Sequence, residues 1–189
     1  MIKIGILGDI GSGKSYIARC FRYPVFNADN EVSKLYKNDI KVFKKLKKSL
    51  PKFIYSFPIS KNEITRAILF NKDNLKKIVK IVHLEIKKKM NVFLKKHENK
   101  KIVVLDIPLL LENKINSKKD ILVFVESKKS EILKRLKNRN NYNKELYKKF
   151  KNIQLPLNYK KNKSQFIIKN DFTDKSVKRA IKNILSQII

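Results

Sequence analysis

The sequence predicts an α/β fold in which helices pack on both sides of a mostly parallel sheet. Several apolar runs are rich in β-branched residues and lack alternation, which is typical of strands covered on both faces. These runs alternate with amphipathic helical segments, an order that gives parallel strands joined by right-handed crossovers. A glycine-rich segment joins the first strand to the first helix. The length of 189 residues suits one domain, residues 1–189, with a sizeable core.

Five segments have the composition of strands, and helical periodicity fills the stretches between them. The predicted strands are residues 2–7, 25–26, 102–106, 121–125 and 166–168. The predicted helices are residues 15–21, one or two helices within 30–48, a long amphipathic helix over 75–93, a basic helix at about 130–137, and a last helix from Thr173 or Asp174. In such folds ligands bind at the carboxyl ends of the strands. The glycine-rich segment and Asp29 both fall at such ends.

Residues 8–15, G-D-I-G-S-G-K-S, fit the phosphate-binding loop pattern G-x-x-x-x-G-K-[ST]. They lie between a predicted strand and a predicted helix, the context that this motif requires. The glycines allow the backbone to curl so that successive N–H groups point at one anion. Lys14 is then expected to reach the β- and γ-phosphates, and the Ser15 hydroxyl to ligate Mg²⁺. The sequence therefore predicts a protein that binds a nucleoside triphosphate.

The chain is strongly basic, with 46 Lys and Arg against 16 Asp and Glu and a net charge of +30. Such a charge suggests nucleic acid, yet nearly all of the excess is lysine, which replaces arginine poorly at base edges. The lysines are also spread along the whole chain. We expect weak, salt-sensitive adhesion to nucleic acid and no specific nucleic-acid partner.

The sequence shows no segment for export or for crossing a membrane. Its best apolar stretch, residues 102–111, is interrupted by Asp106 and Pro108. We expect no signal peptide, because the first predicted strand begins at residue 2. The single cysteine, Cys20, excludes an internal disulfide framework and suits a reducing compartment. We expect a cytoplasmic monomer without a membrane partner.

The loop by itself does not separate kinases, GTPases and ATPases. A GTPase is expected to carry N-K-x-D after a strand, but residues 117–120, S-K-K-D, precede a strand and lack the Asn. An ATPase motor usually needs a larger body. A small-molecule kinase needs an acid on the acceptor side, an insert for substrate, and mobile basic residues that close over the phosphates. The sequence offers all three.

Several blocks together resemble the dephospho-coenzyme A kinases, which phosphorylate the ribose 3′-hydroxyl of dephospho-CoA. Residues 5–15 are similar to the family's G-L-T-G-G-I-G-S-G-K-S, and residues 25–29, V-F-N-A-D, to its V-I-D-A-D. Residues 104–112, V-L-D-I-P-L-L-L-E, resemble its D-x-P-L-L-F-E. Further matches are R-L-x-x-R at 135–139, Q-x-P-x-x-x-K at 154–160, His83 and Asn170. The blocks keep the family's order across almost the whole chain.

The resemblance implies a three-layer P-loop NTPase fold with a five-stranded sheet. It also implies a helical CoA-binding insert at about 37–97 and a lid at about 136–163. The implied reaction is Mg²⁺-dependent transfer of the γ-phosphoryl group from ATP to dephospho-CoA. The implied catalytic residues are Lys14, Asp29 and Arg139, with Asp29 accepting the proton of the attacking hydroxyl. The implied ATP-binding residues are Gly11, Ser12, Gly13, Lys14, Ser15, Tyr16, Arg139 and Asn170. The implied acceptor-binding residues are Asp29, His83, Lys61, Pro108 and Leu109, and the implied metal-binding residues are Ser15 and Asp106.

Position alone leaves structural alternatives open for several of these residues. Asp29 could be a helix N-cap, and Asp106 could brace the loop instead of holding the metal. His83, at the edge of an apolar helix face, could be structural, and Arg135 could lie on a solvated basic helix.

The chain departs from the family pattern at several positions. The replacements are Asp9 for Gly, Tyr16 for Thr, Asn27 for Asp, Lys61 for Arg and Leu84 for Pro. Asp9 places a carboxylate near the triphosphate and is expected to weaken its binding unless it points away. Asn27 leaves Asp29 as the remaining base in its segment. Two rival functions stay open, another small P-loop kinase of nucleotides or nucleosides and a basic nucleic-acid-binding protein that uses the loop as a switch.

Overall fold

The computed structural model describes residues 1–139 and 142–189. Within these ranges the strands are β1 (Ile2–Gly8), β2 (Val25–Asn27), β3 (Ile102–Asp106), β4 (Ile121–Glu126) and β5 (Phe166–Lys169). The helices are α1 (Lys14–Cys20), α2 (Ala28–Asn38), α3 (Ile40–Ser49), α4 (Lys61–Phe70), α5 (Lys72–Lys96), α6 (Lys129–Lys137), α7 (Lys144–Asn152), α8 (Leu157–Asn162) and α9 (Asp174–Ile188).

The five strands form one sheet in the order β2-β3-β1-β4-β5, and each neighbouring pair is parallel. The central strand β1 pairs Ile4 with Val104 on one side and Ile6 with Val123 on the other. The chain fills one half of the sheet with β2 and β3 before it crosses to the other half. The carboxyl end of β1 is therefore the switch point, where such sheets bind ligands. The predicted α/β fold with a five-stranded parallel sheet is confirmed.

The sheet is covered by apolar helix faces, as the unbroken apolar strands predict. Ile4, Ile6 and Val104 are fully buried in a cluster to which α1 and α9 contribute. The helical members of that cluster are Ile17, Ala18, Val177, Ile181 and Ile184. Burying a side chain the size of Ile or Val stabilises the fold by roughly 1.5–3 kcal/mol. The cluster therefore holds α1 against the sheet.

The region predicted to form one or two helices forms two, α2 and α3, which are divided at Asp39. The Asp39 carboxylate accepts the N–H groups of Lys41 at 2.9 Å and Val42 at 3.0 Å. This N-cap satisfies donors that the first turn of a helix leaves unpaired. The long amphipathic helix predicted over 75–93 is α5, with 25 residues.

The chain forms two compact units. Unit 1 comprises Met1–Asn27, Leu94–Tyr142 and Gln154–Ile189, and it holds the sheet. Unit 2 comprises Ala28–Phe93 and Asn143–Ile153, and it holds α2, α3, α4, α7 and most of α5. The predicted insert falls mostly in unit 2. The predicted lid is divided between the units and includes residues 140 and 141, which lie outside the described residues. Among the described helices, none is both long and apolar enough to span a bilayer.

A buried carboxylate organises the start of α4 in unit 2. Glu63 is 1% exposed and accepts the N–H groups of Tyr55, Ser56 and Ser60 at 2.7, 3.0 and 2.8 Å, together with the Ser56 hydroxyl at 2.6 Å. Burial alone raises the pKa of Glu63, but these four hydrogen bonds outweigh it and hold the pKa at about 2. The Ser60 hydroxyl accepts the Glu63 N–H in return, which completes a capping box.

Candidate active site

The loop between β1 and α1 has a backbone that requires glycine. Gly11 and Gly13 have φ angles of 83° and 94°, in the region of backbone conformation that residues other than glycine rarely adopt. Space is also limiting, because a Cβ at Gly11 would lie 3.0 Å from Leu136 Cγ, and one at Gly13 would lie 2.5 Å from Asn170 Nδ2. The predicted phosphate loop is thus a packed, curled segment at the switch point of the sheet.

Lys14 is the first residue of α1, and its ammonium group turns back onto the loop. Lys14 Nζ donates to the carbonyl of Asp9 at 2.6 Å and lies 3.3 Å from that of Gly8. An ammonium group has three rotatable donors on a flexible stem. It can therefore exchange these carbonyls for phosphate oxygens without a change in the loop.

Asp9, the departure within the loop, is turned toward the backbone. Its Oδ1 accepts the N–H of Ile10 at 2.7 Å. This hydrogen bond takes up part of the accepting capacity of the carboxylate that was expected to oppose the triphosphate.

Asp106 ends β3 and is 2% exposed. The strand register places Asn27 beside it, and Asn27 Nδ2 donates a hydrogen bond to Asp106 Oδ2. An ionised aspartate at position 27 could not make this bond, because it has no donor. The departure at position 27 therefore supplies a neutral partner for the acid at the strand end.

The predicted metal ligands, Ser15 and Asp106, offer a hydroxyl and a carboxylate. Mg²⁺ prefers such oxygen ligands and usually takes only one or two carboxylates, together with substrate phosphates and water. In the described part of the chain, no group of three or more His, Cys, Asp or Glu is arranged to hold a metal. The donor set fits a Mg²⁺ ion that depends on bound nucleotide for its remaining ligands.

Asn170 follows β5 and is 4% exposed. Its Nδ2 donates to the carbonyl of Ser12 at 2.8 Å, and its Oδ1 accepts the N–H of Phe172 at 2.9 Å. The hydroxyl of Ser127, directly after β4, donates to the same Ser12 carbonyl at 3.1 Å. Sequence reasoning missed Ser127, since a serine after a strand carries no motif.

The two arginines predicted on the basic helix have different surroundings. The Arg135 guanidinium lies 4.3 Å from the centroid of the Phe172 ring, a cation–π distance. Arg135 is nevertheless exposed, as the solvated alternative expects, and it also contacts this ring. Arg139 follows the end of α6, its side chain is exposed, and its N–H donates to the Leu136 carbonyl at 3.1 Å.

Tyr16, which stands where the family usually has threonine, links α1 to α9. Its hydroxyl donates to the carboxylate of Asp174, in the first turn of α9. This hydrogen bond raises the pKa of Tyr16 above its ordinary value, because it stabilises the protonated phenol.

Three predicted acceptor-side residues lie in unit 2. Asp29 is in the first turn of α2, and Lys61 is the exposed first residue of α4. His83 lies on α5, and its Nε2 is buried and has no hydrogen-bond partner. Burial lowers the pKa of His83, and the charge of Lys87 lowers it further. The imidazole is therefore neutral at pH 7.

A buried ion pair joins two of the matched blocks within unit 1. Lys160 Nζ lies 2.6 Å from Glu112 Oε1, and the side chains are 1% and 9% exposed. The same oxygen accepts the N–H of Leu155 at 3.0 Å. Pro108 and Leu109, predicted to contact the acceptor, are half-buried in the turn that leads from β3 to Glu112.

Comparison with known proteins finds the family that the sequence blocks resemble. A family model described as dephospho-CoA kinase matches residues 2–176. The dephospho-CoA kinase of Wolbachia sp. subsp. Brugia malayi (strain TRS) is 32% identical over 190 residues, which cover 98% of this chain and 97% of the relative. That of Rickettsia typhi (strain ATCC VR-144 / Wilmington) is 32% identical over 196 residues and covers 100% of both chains.

Solved structures agree on the fold. TT1252 from Thermus thermophilus gives a TM-score of 0.80 at 25% identity and covers 100% of this chain and 98% of its own. The dephospho-CoA kinase from Campylobacter jejuni gives 0.64 at 19% identity and covers 98% and 96%, which supports the fold alone. A family match across most of the sequence, on a loop shaped to hold phosphate, leads to one conclusion: the chain belongs to the dephospho-CoA kinase family and is an ATP-dependent phosphotransferase.

Proposed function

We propose that this chain transfers the γ-phosphoryl group of ATP to the ribose 3′-hydroxyl of dephospho-CoA. The observation that carries this proposal is the curled loop from Gly8 to Ser15 at the switch point of the sheet, in a chain whose relatives are described as dephospho-CoA kinases. The named acceptor comes from those relatives. The residue roles are those that the family resemblance implies, and the contacts and exposure of the side chains support them.

The loop is proposed to hold the phosphates of ATP. The backbone N–H groups of Gly11, Gly13, Lys14 and Ser15 are proposed as the anion-binding part of the loop, since that of Ser12 donates to the Asp9 carbonyl at 3.2 Å. Lys14 exchanges the carbonyls of Gly8 and Asp9 for phosphate oxygens. Arg139 follows α6 and is exposed, and it is proposed to neutralise charge on the transferred phosphoryl group.

Mg²⁺ is proposed to bind through Ser15 and, directly or through water, Asp106. A Mg²⁺ ion held by these residues would supply positive charge that stabilises the negative charge developing on the transferred phosphoryl group. Asn27 keeps one carboxylate oxygen of Asp106 in a fixed direction through its amide donor.

Asp29 is proposed as the group that accepts the proton of the attacking hydroxyl. It lies two residues beyond the end of β2 in the chain and belongs to the first turn of α2. Asp29 is exposed, and an accessible carboxylate can serve as the acceptor-side acid that a small-molecule kinase needs.

His83, Lys61, Pro108 and Leu109 are proposed to contact dephospho-CoA. The buried, unpaired Nε2 of His83 supports this role, because buried polar atoms are normally satisfied and a neutral imidazole can bond to an uncharged group of the acceptor. Lys61 is exposed and can offer its charge to an acceptor phosphate.

An ADP-release assay tests the reaction, with dephospho-CoA, AMP, CMP and adenosine as acceptors at equal concentration. We expect turnover with dephospho-CoA well above that with the other three. Faster turnover with a mononucleotide would assign the chain to another kinase activity. No transfer to any acceptor, together with nucleic-acid binding that survives physiological salt, would favour the nucleic-acid-binding alternative.

Asp29→Asn tests the proposed base. We expect kcat to fall by roughly two to four orders of magnitude, the range of general-base contributions, while the Kd for ATP stays within about twofold. Asp73→Asn, an exposed carboxylate on α5, is the matched control and should keep its kcat. An Asp29→Asn enzyme with near-normal kcat would remove this residue from the mechanism.

We also propose that the enzyme works as a monomer in the cytoplasm. The single cysteine, which suits a reducing compartment, supports the location. Light scattering after size exclusion, with and without ATP, measures the mass directly, and a mass near 45 kDa, about twice the chain mass of 22.3 kDa, would contradict the monomer.

A further inference from the structure

Two side chains from neighbouring strand ends bind one carbonyl oxygen of the phosphate loop. Ser127 follows β4 and Asn170 follows β5, and both donate to the carbonyl of Ser12, at 3.1 and 2.8 Å. Ser12 itself is 0% exposed. A carbonyl oxygen has two lone pairs and can accept both donors, so its direction is set by two side chains from neighbouring strand ends.

The amide of Asn170 has only one possible orientation. Its Oδ1 accepts the N–H of Phe172 at 2.9 Å. The backbone N–H of Asn170 donates to the carbonyl of Glu126 at 2.7 Å. Because the oxygen is fixed by a donor, the nitrogen must face Ser12. Asn170 is thus held by both strands and by the turn that follows it.

The direction of the Ser12 carbonyl determines where the next N–H points. In a planar trans peptide, the C=O of one residue and the N–H of the next point in opposite directions. Holding the Ser12 carbonyl toward the ends of β4 and β5 therefore turns the Gly13 N–H away from these ends and into the concave side of the loop. That side is where loops of this kind bind an anion.

The packing at Gly13 fixes the same peptide a second time. The Asn170 amide nitrogen lies 2.5 Å from the place where a Cβ on Gly13 would be, closer than two unbonded atoms can approach. Gly13 also has a φ of 94°. The peptide between Ser12 and Gly13 is therefore held by two hydrogen bonds and by close packing against Asn170.

We infer that Ser127 and Asn170 are positioning residues, which act through the Ser12–Gly13 peptide to aim the Gly13 N–H at a phosphate of the bound nucleotide. This inference deepens the proposed function, since it rests on the loop as the ATP site. A donor that is already oriented needs no reorganisation when the charge arrives. For Asn170, the role predicted as ATP binding becomes indirect.

The test measures binding of ATP and of inorganic tripolyphosphate by calorimetry, with no acceptor present. Ser127→Ala removes one donor, and Asn170→Leu removes the other at similar volume. The matched controls are Ser130→Ala and Asn162→Leu, at exposed positions on α6 and α8. Ser127→Thr, which keeps the hydroxyl, should bind as the unmodified protein does.

We expect Ser127→Ala to weaken both ligands by the same factor, about two- to tenfold, the range for loss of one neutral hydrogen bond. Asn170→Leu should weaken both at least as strongly. Thermal unfolding identifies any variant that fails to fold. If Asn170→Leu fails to fold, the comparison of Ser127→Ala with Ser127→Thr decides the question.

Weaker binding of ATP with unchanged binding of tripolyphosphate would overturn the inference, because the two residues would then act on the nucleoside. Unchanged binding of both ligands in Ser127→Ala would overturn it for Ser127. Failure of the proposed acceptor chemistry would leave these results unaffected, since no acceptor is used.

Discussion

Glu63→Gln tests whether a single buried carboxylate maintains the loop before α4. The substitution keeps the size of the side chain but replaces one accepting oxygen with a donor. That group would face the N–H of Ser60 and the hydroxyl of Ser56, which now donate to the carboxylate at 2.8 and 2.6 Å. The new amide donor would then face these two donors, and the Ser60 N–H and the Ser56 hydroxyl would lose the oxygen that accepts them.

The magnitude follows from the pKa of Glu63. Its fall from the ordinary 4.5 to about 2 in the folded protein corresponds to about 3 kcal/mol, at about 1.4 kcal/mol per tenfold change in the ionisation constant. The side chain is 1% exposed, so solvent screening removes little of this. Because the folded-state pKa is depressed, the contribution is complete above about pH 4.5. It is lost as the pH falls from about 4.5 to 2.

Urea unfolding followed by circular dichroism, at several values from pH 7 to pH 3.5, measures the effect. We expect Glu63→Gln to lower the free energy of unfolding by about 3 kcal/mol at pH 7, with a gap to the unmodified protein that narrows below about pH 4.5. Glu98→Gln, at an exposed position after α5, is the matched control. A gap under about 1 kcal/mol at pH 7, or one that stays constant over the acidic range, would refute the reasoning.

Three further outcomes follow from the described contacts. Lys160→Met alone should lower the free energy of unfolding by about 3–5 kcal/mol, because the Glu112 carboxylate would stay buried without its cation. Adding Glu112→Leu should restore most of the lost stability, and equal losses of the single and double variants in thermal unfolding would contradict this prediction. Gly13→Ala should abolish ATP binding in calorimetry, because its Cβ would meet Asn170 at 2.5 Å and its φ is 94°; measurable affinity would argue against the packed loop. His83 should titrate below its ordinary 6.5 in NMR, because burial lowers its pKa, so its contribution to stability is complete above about pH 6.5 and is lost at lower pH; a titration at or above 6.5 would contradict its burial.

The sequence determined the class of fold and the nature of the loop, because both depend on local patterns. Uninterrupted β-branched runs such as residues 102–106 need cover on both faces, and that requirement alone implies a parallel sheet between helices. The spacing of Gly8, Gly13 and Lys14 specifies the curl and its ligand in the same way. The order of the matched blocks then identified the family.

Tertiary structure alone decided which side chains meet across distant parts of the chain. Ser127 and Asn170 are 43 positions apart, yet parallel pairing of β4 with β5 brings both to Ser12. Among the many lysines, Lys160 was distinguished in the sequence only by its spacing from Gln154 and Pro156, and its burial against Glu112 was not predicted. Such pairings depend on strand order and register, which the hydrophobic pattern of a single strand does not specify. The sequence therefore determined what kind of site forms, and the packing of the strands determined which residues hold it in shape.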